Sequence, residues 1–130
     1  MAKADETQGA GGTAIVTLVV YSGRENPSWV LPAAATAALA RRLQTLAPAA
    51  ADARPPSGLG YRGVTVRLPG PAGGTVATIG GGLVVIAAEG SERHLLDAGR
   101  AIERDLVGGG LGGVSAAVRD AIERDLGPAR

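Results

Sequence analysis

The 130-residue chain has no cysteine and no phenylalanine, and only one histidine, one tryptophan and two tyrosines. Without cysteine it has no disulfides, no thiolate metal ligands and no thiol nucleophile. His94 alone cannot build a His-based metal cluster or a zinc-hydrolase helix motif, so neither a metal nor a cofactor is expected. An aromatic fraction of 2% leaves a core of Val, Leu, Ile and Ala. Such a core is thin, because an aromatic side chain covers about 150–250 Å² and an alanine far less. A basic excess is also missing. Thirteen Lys+Arg face 12 Asp+Glu, for a formal charge of +1, whereas phosphate neutralisation supplies most non-specific affinity for nucleic acid. Nucleic acid is therefore not an expected partner. Twelve of the 13 cations are arginine, a bias that fits high-GC, bacterial-like coding DNA and assigns the arginines no recognition role.

Long apolar runs are lacking too. The longest, residues 14–20 and 83–88, fall far short of the roughly 20 residues that cross a bilayer. The opening MAKADETQGAGG places acids and glycines where a secretory leader places a basic start and an apolar core, which predicts a cytoplasmic chain. Residues 1–12 carry no apolar period and are expected to stay disordered, with a single domain over residues 13–130.

From Thr13 onward the pattern is regular. Residues 14–21 (AIVTLVVY) are a β-branched run, predicting a strand buried on both faces. Residues 22–28 (SGRENPS) read as a turn. Pro32 suits the first turn of a helix, and residues 33–46 continue in helix formers with Leu39, Leu43 and Leu46 on one face. Residues 49–60 form a small-residue linker. Residues 61–68 (YRGVTVRL) alternate as a half-buried strand at or near a sheet edge. Residues 75–79 and 83–88 supply further strand, with Gly80, Gly81 and Gly82 making either a hairpin turn or a bulge. Leu95, Gly99, Ile102 and Leu106 fall on one helical face that ends at Gly108, and Ser115 caps a last helix carrying Val118, Ile122 and Leu126. The order β-α-β-β-(β)-α-α predicts an α+β fold, a mainly antiparallel sheet of three or four strands with helices packed on one face.

The hexapeptide AIERDL occurs twice, at residues 101–106 and 121–126. Each copy supplies an Ile and a Leu for burial, with Glu, Arg and Asp expected on solvated faces; an offset of 20 residues with two copies makes no solenoid. His94 is expected at a surface or capping position near a helix start, and Asp97 is a candidate helix cap. The glycines at 80–82 precede a strand, and those at 108–113 lack the Lys-Ser/Thr pair of a phosphate loop. No catalytic residue is assigned.

Chemistry concentrates instead in residues 21–29 (YSGRENPSW), which gather Tyr21, Arg24, Asn26 and Trp29 where a strand ends, with Tyr61 and Arg62 opening another strand. An arginine among aromatic rings and an asparagine can clamp an anion through two parallel hydrogen bonds. Equally, Trp29 can plug the gap between sheet and helix while Asn26 shapes the turn. Two functions follow. One is a non-enzymatic interaction or scaffold module that pairs with itself, most simply as a two-fold homodimer, or with another protein. The other is a small anionic-ligand binder or enzyme with its site at Tyr21, Arg24, Asn26, Trp29, Tyr61 and Arg62.

Overall fold

Alternation of buried and exposed side chains explains how the strands pack. In a computed structural model describing residues 12–58, 60–69, 74–88 and 90–127, β1 (Ala14–Leu18) buries Ala14, Val16 and Leu18 and turns Ile15 to solvent. β1 is thus buried on one face, not on both. β2 (Ser28–Leu31), β3 (Val64–Leu68), β4 (Thr75–Gly80), β5 (Leu83–Ala88) and β6 (Ser91–Leu96) complete a six-stranded sheet in the order β2-β1-β3-β4-β5-β6. Every neighbouring pair is antiparallel. The fold is α+β with six strands rather than three or four, and β3 lies in the middle of the sheet, not at its edge.

Two strands were hidden by polar or turn-forming sequence. β2 lies inside the segment that reads as a turn, because Asn26-Pro27 ends the turn one residue before Ser28. β6 (SERHLL) has the composition of a helix start, but the hairpin from β5 imposes strand pairing on it, with Leu95 opposite Val84 and Arg93 opposite Ile86. Tertiary pairing overrides weak local preference. Gly81 and Gly82, at φ +63° and +89°, form the two-residue link of the β4–β5 hairpin, the conformation glycine adopts without steric cost. These glycines are a turn and not a bulge.

Three α-helices are present among the described residues: α1 (Ala33–Leu43), α2 (Ala101–Gly108) and α3 (Ala116–Leu126). α1 follows Pro32 and ends with Arg41 and Arg42 in its last turn, where cations oppose the helix dipole. Its buried Thr36 hydroxyl donates to Leu31 O at 3.0 Å and accepts from Ala14 N at 3.0 Å, fixing the helix start to β1 and β2. α1 then carries the chain from the β2 edge to the opposite edge, where Ala49 N donates to His94 O and Leu96 N donates to Ala47 O, each at 2.8 Å. That short pairing covers the β6 edge. Residues 98–100 form a 3-10 turn between β6 and α2, so the helix begins at Ala101 and not near His94. Ser115 caps α3 by accepting from Val118 N at 3.3 Å, and Gly127 follows its last turn.

The core lies between one sheet face and the helices. Val16, Leu18, Val64, Val66, Ala77, Ile79, Val84 and Leu95 share that face with Leu39, Leu43, Ile102, Leu106, Val107 and Ile122. No helix of the described residues is long and apolar enough to cross a membrane. The expected disorder of residues 1–12 falls, but for Gly12, outside the described residues.

Candidate functional site

The loop after β1 is held by the side chains that its sequence marks as reactive. Asn26 Oδ1 accepts from Val20 N at 3.0 Å and Tyr21 N at 2.7 Å, bending the chain back toward β2. This is how an Asn side chain substitutes for a backbone acceptor in a turn. Arg62 donates to Tyr21 O at 2.9 Å and to Gly58 O, joining the loop to the entry of β3. Its Nε is buried without a protein partner among the described residues. Trp29 lies against the backbone of Gly109 and Gly110, and its ring occupies the space that a Cβ at position 110 would take. Arg24 is exposed, with its guanidinium carbon 4.3 Å from the centroid of the Tyr21 ring. Thus the structure brings Tyr21, Arg24, Asn26 and Arg62 together at one end of the sheet, while Tyr61 and Trp29 turn toward α2 and the glycines after it.

Tyr61 leads to a cluster that sequence reasoning missed. Its hydroxyl donates to Glu103 Oε2, and Glu103 is fully buried. The same carboxylate accepts from Gly81 N at 3.1 Å, from Arg100 Nε at 2.9 Å and from a terminal Arg100 nitrogen at 2.9 Å. Arg100 also reaches Asp125 Oδ2 at 2.8 Å, tying α2 to α3. Arg100 is the one non-glycine residue at positive φ, +56°, among the described residues, a conformation that costs roughly 1–2 kcal/mol. The fork of bonds to Glu103 and Asp125 holds it there. Asp97, also buried, accepts from Ile102 N at 2.9 Å and Glu103 N at 3.1 Å, so it caps α2 as its sequence position suggests.

The solvated-face expectation therefore fails at Glu103. The inward stripe of α2 is Ile102, Glu103, Leu106 and Val107. Val107, four residues after Glu103, was the signal that this position faces inward. Burial pushes the Tyr61 phenol far above its ordinary range, and the bond to Glu103 adds to the shift. The Arg100 guanidinium is raised chiefly by its bond to Glu103. All four hydrogen-bonding positions of the Glu103 carboxylate are occupied, which leaves none for a substrate proton. The cluster fastens the β4–β5 turn to both C-terminal helices.

A different surface stays open. On the face opposite the helices, the register aligns Ser28, Thr17, Thr65, Thr78, Val85 and His94 across the six strands. Beside that row run Val30, Ile15, Arg67, Val76, Ala87 and Glu92. Ile15 is 39% exposed, Val30 57% and, at the other edge, Leu96 47%. His94 is half-buried on this face, 3.8 Å from Glu92, and is a strand residue rather than a helix cap. At one end of the face Pro56 covers Gly80 and Gly81, where a Cβ would meet its ring carbons at 3.2 and 3.1 Å. No group of three or more His, Asp or Glu side chains able to hold a metal occurs among the described residues. The chain matches no family model, and no curated protein or solved structure matches it.

Proposed function

We propose that the protein is a small non-enzymatic interaction module that pairs with itself, as a two-fold dimer, through the outer face of its sheet. One observation carries this reading: Ile15, Val30 and Leu96 are exposed on a sheet face that no helix of the described residues covers. An isologous contact suits such a face, since each copy offers the same apolar and hydroxyl rows to the other. Most side chains of these rows are uncharged, so their burial carries little desolvation cost compared with buried ions. The polar groups with the strongest chemical potential, Tyr61, Glu103 and Arg100, are bound to one another, which supports an architectural rather than catalytic use.

Sedimentation velocity on the full chain and on an Ile15→Lys/Val30→Lys double variant tests this reading. The parent sediments as a dimer and the variant as a folded monomer, because two lysines on each facing surface set like charges against one another. A parent that remains monomeric at high concentration, or a variant that dimerises as the parent does, overturns it.

A further inference from the structure

The inner face of the sheet is not fully covered. Between α1 and the β3–β6 end of the sheet lies a cleft of about 420 Å³, within the ordinary range of small-molecule sites. Its origin is the small side chains on both walls. α1 presents Ala37 and Ala40 where a larger residue would reach the sheet, and Ala88 lies on the floor beside Leu68 and Ile86.

The mouth of the cleft has a different character. On the inner face the cross-strand row through Trp29, Val16, Val66, Ala77 and Ile86 is apolar until it reaches β6, where Arg93 stands opposite Ile86. Arg93 and the hydroxyl residue Ser91 both line the cleft, and both are exposed. Glu92, between them, belongs to the outer face and approaches His94 instead. Among the described residues the carboxylates that pair with arginine are Asp105, Glu103 and Asp125, on Arg42 and Arg100. The cleft thus joins an apolar slot to one cation at its rim.

From this polarity we infer that the cleft binds a small amphiphilic carboxylate, a free acid with an unbranched alkyl tail. The tail lies between Ala37, Ala40, Leu68 and Ile86, and the carboxylate is met by Arg93 at the mouth. Charge decides the sign of the head group: an arginine fork matches a carboxylate, whereas a cationic head of the same tail length is repelled. This site is separate from the outer sheet face and does not depend on self-association.

Isothermal titration of the full chain with decanoate, below its micelle-forming concentration, tests the inference. Acetate supplies the head without the tail, and decyltrimethylammonium the tail with the opposite charge. Decanoate binds saturably, and both controls bind at least about tenfold more weakly. Arg93→Gln, on an exposed strand position, keeps the fold and weakens decanoate about tenfold through loss of the charge-assisted bonds. Ala40→Phe fills the slot and removes binding, with its far-ultraviolet spectrum unchanged from the parent. The inference is overturned if decanoate gives no binding, if Arg93→Gln binds it as tightly as the parent, or if the ammonium compound binds equally well.

Discussion

Glu103 and Glu123 occupy the same place in two copies of AIERDL, yet one is fully buried and the other exposed. Removing one partner of a buried ion pair leaves an uncompensated charge, so Glu103→Ala should cost about 3–5 kcal/mol in urea unfolding. Glu123→Ala should stay within about 0.5 kcal/mol of the parent. The same network sets an alkaline limit. The Tyr61 phenol titrates above its unfolded value of 10.0, so the folded state holds this proton after the unfolded state has lost it. Its contribution is complete below that value and is lost as the pH rises past it. Unfolding measured between about pH 9 and about pH 11 should show this loss in the parent, and Tyr61→Phe should be less sensitive to alkali. The sequence showed that Asn26, Arg62 and Trp29 were unusual, since they concentrate polar and aromatic groups at a strand end. It did not show that backbone carbonyls and amides would use them, because those partners depend on where Gly58 and Tyr21 lie in space. Glu103 was misread for another reason: the repeated AIERDL suggested a solvated Glu in both copies, although Val107, four residues on, places Glu103 on the buried stripe.

Strands with strong β-branched composition, β1 and β3–β5, were legible, and so were α1, α3 and the Ser115 cap. β2 and β6 were not. β2 is a four-residue edge strand and β6 opens with four polar residues, so both take their conformation from a neighbour rather than from their own sequence. The hairpin that builds β5 onto β4 depends on Gly81 and Gly82. Gly82→Ala places a Cβ on a backbone at φ +89°, and equilibrium unfolding should report a loss of about 1–2 kcal/mol. Gly110→Ala should also destabilise, by about 1–3 kcal/mol, because the Trp29 ring must move to admit the methyl group. Normal stability in Gly110→Ala would show that Trp29 is not seated against that turn.

Across the whole molecule the two sheet faces are unequal. The inner face meets α1, α2 and α3 and leaves a cleft beside α1, while the outer face carries exposed Ile15, Val30 and Leu96 beside a row of hydroxyls. The β-branched run of β1 predicted burial on both faces, whereas the structure buries one and leaves an outer face with exposed apolar side chains. Its extent could not be read from the sequence, because two of the six strands were hidden and the register sets which residues lie side by side. The most direct test of self-pairing is a methyl NMR dilution series on the full chain. The account predicts concentration-dependent shifts at Ile15, Val30, Val76, Val85 and Leu96, with Ile102, Leu106 and Ile122 unmoved. Shifts confined to the helices, or none up to the highest soluble concentration, would contradict it.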